Sequence, residues 1–264
     1  MRPGDVLAAV RAQRPLVHQI VGPVTVHLAA GAAAAVGARP VMADDPDDAE
    51  AMAAQADGLV CNLGMPRPYR LEAMRRACAV LADRGPRILD PVGAGGSAAR
   101  SNMASQLLSW RCFTIVRANA AETGALSGAG GSVRGVDATA APDDVDAACR
   151  TLAGHAGLVA AATGAVDRIA APDGRLARVD NGHPLAGRVV GAGCMASAVV
   201  GAFAAVWPEP WEAATCALAV YGLACERAAA AAGGPGSFLP LLWDALAALT
   251  PDEAEAGARI EVVQ

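Results

Sequence analysis

The segment RVVGAGCMASAVVGAF places Cys194 after two glycines, at the head of an uncharged run that extends from Val189 to Trp207. One interpretation is an anion hole, because Gly191, Ala192 and Gly193 would leave backbone N–H groups without hydrogen-bond partners at the start of a helix. A second is a dinucleotide fingerprint, since residues 191–196 fit G-x-G-x-x-A. A third is a glycine turn that packs closely, with Cys194 as a small apolar residue. The local sequence leaves all three open.

The thiol of Cys194 has the setting of a reactive group. A helix N-terminus tends to lower a thiol pKa from its usual value of about 8.5, so we expect a more available thiolate there. No histidine is spaced to form an obvious Cys–His pair with it. Five other cysteines lie in apolar or helical stretches and are expected to be packing residues: Cys61, Cys112, Cys149, Cys216 and Cys225.

Polar residues close several short apolar runs. In an open α/β sheet, ligands collect beyond the carboxyl ends of the strands, so these residues are the first candidates for a site. Acids and an amide suit hydrated Mg²⁺, an arginine suits phosphate oxygens, and a hydroxyl suits a nucleotide or phosphate contact. The set is Asn62, Asp90, Arg117, Asn119, Glu122 and Thr163.

Two of these positions have structural alternatives. Asp90 precedes a glycine-rich turn, residues 93–96, which either forms an anion-binding nest or is simply capped by the aspartate. Asn119 and Glu122 can face the same side of a first helical turn and contact Mg²⁺ through water, or they can form a capping box. Residues 93–98 are a second weak match to G-x-G-x-x-A, whereas no Walker A motif occurs anywhere in the chain.

The elements that must position these residues follow an α/β pattern. Apolar runs at 58–64, 87–93, 113–119 and 158–164 alternate with helical stretches, which predicts a mostly parallel sheet covered by helices. Helices are predicted for Pro46 to Ala56, Tyr69 to Arg84 and Asp143 to Ala153. A hairpin is predicted around Asp173-Gly174.

The bulk composition limits the class of protein. The 264 residues show no linker, so we expect one domain spanning 1–264. A net charge of −5 without a basic cluster argues against nucleic-acid binding and an anionic-membrane surface. Seven cysteines without C-x-x-C or zinc-type spacing, and an N-terminus without an apolar leader, predict a cytoplasmic protein. The uncharged run after Val189 is expected to be a buried helix rather than a membrane span.

A set of short segments, taken in order, resembles the hydroxyethylthiazole kinase family of thiamine salvage. The matching segments cover about nine-tenths of the chain and lie at 15–18, 37–42, 62–64, 89–95, 117–122, 135–137, 163–167, 191–194 and 234–238. The resemblance implies a ribokinase-like three-layer α/β fold. It also implies a homotrimer, and phosphorylation of the primary hydroxyl of a hydroxyethyl-methylthiazole by ATP with Mg²⁺.

The resemblance also assigns roles. Positions that match the anion hole and catalytic centre are Gly191, Ala192, Gly193, Cys194 and Asp90. Positions expected to bind the alcohol are Met42, Asn62, Gly64, Gly191 and Cys194. Positions expected on the ATP side are Arg117, Thr163 and Asn119, and those expected on the Mg²⁺ side are Asp90, Asn119 and Glu122. Since positioning and charge stabilisation dominate phosphoryl transfer, Cys194 need not be an obligatory base.

The chain departs from the family pattern mainly on the alcohol side. Val21-Gly22-Pro23 replaces a threonine-asparagine pair, and Met65 and Ala165 replace polar residues. Phosphoryl transfer is therefore a firmer expectation than the thiazole, and a more apolar primary alcohol is an alternative acceptor. A nicotinamide-dependent oxidoreductase and a non-catalytic ligand-binding protein are the alternatives from other classes.

Overall fold

The computed structural model describes residues 1–82, 84–134 and 137–263. The strands are β1 Leu16–Ile20, β2 Arg39–Val41, β3 Gly58–Asn62, β4 Arg87–Asp90, β5 Ile115–Asn119, β6 Ser132–Arg134, β7 Asp137–Ala140, β8 Val159–Thr163, β9 Asp167–Ala170, β10 Leu176–Val179 and β11 Ile260–Val263. The helices are α1 Pro3–Gln13, α2 Val26–Val36, α3 Pro46–Ala53, α4 Pro68–Val80, α5 Ala98–Ser109, α6 Ala120–Ser127, α7 Val145–Ala156, α8 Ala192–Ala204, α9 Pro210–Ala231, α10 Pro235–Ala248 and α11 Pro251–Gly257. A short 3₁₀ helix, Pro184–Arg188, precedes α8.

The central sheet has the order β11-β10-β9-β8-β5-β4-β3-β1-β2. The part from β2 to β8 is parallel, and β9, β10 and β11 extend it as antiparallel strands. The prediction of a mostly parallel sheet is therefore confirmed. The four apolar runs identified in the sequence form adjacent strands, β3, β4, β5 and β8, in the middle of the sheet.

Alternation along the strands produces two apolar layers, because successive side chains point to opposite faces of a sheet. Val60 and Ile88 face one cluster, which is completed by α1, α2, α8, α9 and α10. Leu59 and Leu89 face the other cluster, which is completed by α3, α4, α5 and α7. The sheet is thus covered on both faces, as a parallel sheet requires.

Local signals account for where several helices begin. The Asp45 side chain accepts a hydrogen bond from the Asp47 N–H, and Pro46 occupies the first helical position of α3. Asp144 caps α7, so this helix begins at Val145 and not at Asp143 as predicted. It ends at Ala156, three residues later than the predicted Ala153. The other two predicted helices each end earlier than expected, α3 at Ala53 and α4 at Val80.

The predicted hairpin is formed by β9 and β10, whose residues pair antiparallel from Asp167 with Val179 to Ala170 with Leu176. Gly174 lies in the turn with φ +95°, a conformation that favours glycine. The apolar segment that begins at Val189 contains the buried helix α8. Among the described residues, no helix combines the length and hydrophobicity needed to cross a bilayer. The segment 135–137, which resembles the family, includes Gly135 and Val136, and these two lie outside the described residues.

Candidate active site

The carboxyl ends of the central strands gather the polar residues, as the sequence predicted. Asn62 at the end of β3 pairs with Asp90 at the end of β4, and Asn119 at the end of β5 pairs with Thr163 at the end of β8. Arg117 lies two residues before the end of β5. Parallel neighbours end at one edge of the sheet, so five side chains from distant parts of the sequence meet there.

Helix α8 begins above this edge with two glycines whose surroundings leave no room for a side chain. Gly191 has φ +85°, and a Cβ there would lie 2.7 Å from Leu28 Cδ1 and 3.0 Å from Thr25 Cγ2. A Cβ on Gly193 would lie 2.8 Å from Arg117 Nη2 and 2.9 Å from Arg117 Nη1. The first N–H groups of a helix have no intrahelical partner, and Gly191 has no side chain to cap them. The first turn of α8 is thus suited to bind an anion.

Beneath this turn lies a buried ion pair. Arg117 Nη2 donates to Asp90 Oδ1 at 2.8 Å, and the two side chains are 6% and 0% exposed. Arg117 also donates from Nε to Ser197 Oγ at 2.9 Å and from Nη1 to Thr163 Oγ1 at 3.1 Å. Burial disfavours the charge of Arg117, but Asp90 and Glu122 outweigh it and raise the arginine pKa above its usual value. The guanidinium remains charged and packs directly against Gly193.

Asp90 is fully engaged by protein donors. Its Oδ1 accepts from Arg117, and its Oδ2 accepts from Asn62 Nδ2 and from Ser197 Oγ, both at 2.8 Å. Sequence reasoning did not assign Ser197 to the site. A signal was present, because Ser197 follows Cys194 by three positions and so shares its face of an otherwise apolar helix.

Cys194 lies in the first turn of α8, as expected, but its thiol is less acidic than we predicted. Asn62 Nδ2 donates to Cys194 Sγ at 3.2 Å. Burial and the negative charge of Asp90 raise the pKa of Cys194 to about 11, although Arg117 and Asn62 act in the opposite direction. Desolvation and a nearby carboxylate therefore outweigh the partial charge of the helix end. The thiol is protonated at neutral pH.

Asn119 and Glu122 form the capping box that the sequence offered as an alternative. Asn119 Oδ1 accepts from the Glu122 N–H at 2.8 Å, and Glu122 Oε2 accepts from the Asn119 N–H at 2.9 Å. Glu122 Oε1 accepts from the Gly93 N–H at 2.7 Å, which ties the glycine turn after Asp90 to the start of α6. Burial raises the pKa of Glu122 above its ordinary value.

The carboxylates here do not fit a direct magnesium cage. Every carboxylate oxygen of Asp90 and Glu122 already accepts a hydrogen bond from the protein. Within residues 1–82, 84–134 and 137–263, no three His, Cys, Asp or Glu side chains cluster closely enough to hold a metal ion. Contact with Mg²⁺ through its water ligands stays a prediction for Asp90, Asn119 and Glu122.

The expected alcohol-binding residues lie on the other side of Asn62. The Gly64 N–H donates to Asn62 Oδ1 at 2.9 Å, and the Gly64 carbonyl oxygen would be 2.4 Å from a Cβ on Gly22. Two segments that depart from the family pattern, 21–23 and 63–65, are therefore in direct contact. Met42 is half-buried and packs against the same apolar cluster that includes Met195 of α8. Alcohol binding by Met42, Asn62 and Gly64 stays a prediction.

A cavity of about 480 Å³ opens on the opposite side of the α8 N-terminus. Thr163 and Gly164 contribute one wall, and Ala192 and Gly193 contribute another. Asp167 also lines it; its Oδ1 accepts from the Gly164 N–H at 2.9 Å, and burial raises its pKa to about 7. Further lining residues that sequence reasoning did not place in a site include Asn181, His183, Leu218, Tyr221 and Gly222.

The structure does not favour a dinucleotide fingerprint at residues 191–196. That motif requires a strand directly before the glycine turn. Here a 3₁₀ helix, Pro184–Arg188, precedes Gly191. The anion-hole interpretation fits the geometry of this turn better.

The chain is similar over nearly its whole length to known proteins of one family. The model of the hydroxyethylthiazole kinase family matches residues 7–252. A hydroxyethylthiazole kinase of Methanoculleus marisnigri is 43% identical over 260 residues, which cover 98% of this chain and 93% of that protein. The corresponding protein of Rubrobacter xylanophilus is 44% identical over 265 residues, covering 99% and 98%.

Solved structures agree with the sequence relatives. A hydroxyethylthiazole kinase structure from Pyrococcus horikoshii superposes with a TM-score of 0.90 at 34% identity and covers 99% of each chain. The pyridoxal kinase of Staphylococcus aureus superposes with a TM-score of 0.61 at 17% identity, covering 94% of this chain and 98% of that one, a likeness of fold alone. The expected ribokinase-like three-layer fold is confirmed, and the chain belongs to the hydroxyethylthiazole kinase family.

Proposed function

We propose that this protein transfers the γ-phosphoryl group of ATP to the primary hydroxyl of hydroxyethylthiazole. The observation that carries the proposal is the first turn of α8, whose glycines are held against Arg117 on one side and against Thr25 and Leu28 on the other. A fixed row of N–H donors stabilises the charge of a transferring phosphoryl group without reorganising during the reaction. Family membership supplies the identity of the substrates.

The nucleotide is proposed to occupy the 480 Å³ cavity, because this cavity ends at Thr163 and at the start of α8. The alcohol is proposed to approach from the side of Asn62 and Cys194. Its oxygen then forms a bond to the γ-phosphorus while the bond from that phosphorus to the bridging β–γ oxygen breaks. The hydroxyl proton is released to water late in the transfer, and ADP leaves. Mg²⁺ would come with the nucleotide and neutralise phosphate charge while keeping much of its water.

The side chains around α8 indicate a reaction that depends little on a general base. Cys194 is protonated at neutral pH, and the oxygens of Asp90 are already hydrogen-bonded. A largely dissociative transfer needs little deprotonation of the alcohol before the bond to the leaving group is mostly broken. We therefore assign Cys194 to shaping the anion hole, and Asp90 and Arg117 to holding it in place.

We also propose a single kinase domain that assembles as a homotrimer in the cytoplasm. Three apolar side chains near the alcohol side are exposed, Val24 by 60%, Met65 by 40% and Val190 by 68%, which favours a neighbouring subunit over them. All seven cysteines are free, in keeping with a reducing compartment.

The test is incubation with ATP, Mg²⁺ and a panel of thiazole, pyrimidine and pyridoxal-type alcohols, with products identified by mass. We expect phosphorylated hydroxyethylthiazole. Gly193→Ala should abolish turnover because its Cβ would collide with Arg117. Gly154→Ala should retain it, because a Cβ there meets no atom of the described residues outside its own helix within 4 Å. Phosphorylation of only another alcohol would refute the thiazole, and no phosphorylation of any alcohol would refute the kinase.

A further inference from the structure

Tyr221 joins the candidate nucleotide cavity to the first turn of α8. It lies in the middle of α9, its side chain lines the cavity, and the residue is 8% exposed. Its hydroxyl donates a hydrogen bond of 2.8 Å to the carbonyl oxygen of Ala192. Burial raises the pKa of Tyr221 well above its usual value, so the hydroxyl keeps the proton that it donates.

The carbonyl that Tyr221 holds belongs to the first residue of α8. The neighbouring residues are held by the backbone of α8 itself, for example by the Met195 N–H, which donates to the Gly191 carbonyl oxygen at 2.9 Å, and by close packing, Gly191 against Thr25 and Leu28 and Gly193 against Arg117. The packing contacts stop the turn from moving toward its neighbours, but they do not stop it from moving away. The Tyr221 hydrogen bond is directional and comes from α9, so it ties the turn to a second helix.

Small displacements of this turn matter for catalysis. Preorganised donors stabilise a transition state only when they point at the place where charge develops. A shift of about 1 Å in a group that positions reactants can cost on the order of 100-fold in rate. A residue that fixes the donors therefore influences the rate without touching the reacting atoms.

We propose that Tyr221 is a positioning residue for phosphoryl transfer, which fixes the N–H groups of Gly193 and Cys194 relative to the bound nucleotide. The inference rests on the proposed kinase function. The phenol oxygen thus acts on the rate only through the placement of the donors, and the aromatic ring is part of the cavity wall.

The test compares Tyr221→Phe with Thr215→Val. Thr215 lies on the same helix, is also buried, and donates from its hydroxyl to the Trp211 carbonyl oxygen at 2.7 Å, away from α8. Each variant removes one hydroxyl–carbonyl hydrogen bond and leaves a side chain of similar shape, so both should fold with similarly small losses in Tm.

We expect Tyr221→Phe to lower kcat about tenfold while the KM for ATP changes less than about twofold, because only the placement of the donors is affected. Thr215→Val should keep the wild-type kcat. Equal kcat values for wild type and Tyr221→Phe would overturn the inference, as would an equal fall in both variants. A wild type that phosphorylates no alcohol would instead refute the proposed function.

Discussion

At the scale of single residues, Asp90 links the parts of the candidate site. Its carboxylate accepts from Arg117, Asn62 and Ser197, and Asn62 in turn donates to Cys194. Removing one partner of a buried ion pair leaves the other charge unpaired, which typically costs about 3–5 kcal/mol of stability. Cys194 carries no charge at neutral pH, so its replacement leaves no buried charge unpaired.

We therefore expect Asp90→Ala and Arg117→Ala to lose most activity, whereas Cys194→Ser keeps a measurable rate. Because the pKa of Cys194 is about 11, the rate should also show no titration of the thiol between pH 7 and about 9. Initial rates across this range, with Tm recorded for each variant, check both expectations. Complete loss of activity in Cys194→Ser at the wild-type Tm would contradict the first expectation, and a rate that titrates between pH 7 and about 9 would contradict the second.

At the scale of elements, α8 combines a site at its N-terminus with close packing further along. A Cβ on Gly201 would lie 2.6 Å from Val60 Cγ2 and 3.3 Å from Val17 Cγ1. The helix thus approaches β1 and β3 more closely than any side chain at this position would allow.

Gly201→Ala should destabilise the protein by about 1–2 kcal/mol, since overpacking against the sheet exceeds the gain in helix propensity. Gly154→Ala in α7 is the matched control. In the part of the chain that the structure describes, no atom outside its own helix lies within 4 Å of its Cβ, so the variant should be stabilised by up to about 1 kcal/mol. Urea unfolding measures both values. A Gly201→Ala protein as stable as Gly154→Ala would show that α8 does not pack so closely against β1 and β3.

At the scale of the whole molecule, the carboxyl edge of the sheet buries acids inside a chain of net charge −5. Glu122 is 3% exposed and Asp167 is 9% exposed, and burial raises the pKa of both. A raised pKa means that the folded protein binds more protons than the unfolded chain. These groups therefore favour folding at acidic pH, and their contribution is lost as pH rises through the folded pKa.

For Asp167 the window runs from its ordinary pKa near 3.8 to about 7. We expect the unfolding free energy of wild type minus that of Asp167→Asn to fall between pH 5 and 7, by at most about 1.4 kcal/mol per pH unit, and to level off above pH 8. Groups with the opposite effect on the pH dependence of stability, such as His18, whose pKa is lowered by burial, are present in both proteins. Their contributions therefore cancel in the difference.

Asp173→Asn provides the control, because the pKa of Asp173 is lowered by the Arg175 N–H and side chain and so does not titrate in this window. Denaturant unfolding at several pH values measures both differences. A pH-independent difference for Asp167→Asn would show that the Asp167 pKa is not raised.

The sequence by itself determined the alternation of strands and helices, the polar residues at the strand ends, the hairpin at Gly174 and the glycine turn before Cys194. These features depend on residues close together along the chain, through side-chain period, capping and backbone freedom. Order and spacing of short motifs were also enough to indicate the family.

Only the tertiary structure decided what individual side chains do. In the fold Glu122 forms a capping box with Asn119, and both carboxylate oxygens of Asp90 accept hydrogen bonds. Burial raises the pKa of Cys194, and Ser197 and Tyr221 lie at the site. These properties depend on burial and on partners far away in sequence, such as Asn62 and Cys194, which are 132 positions apart. Desolvation and contact distance are properties of the folded chain, so no local pattern can supply them.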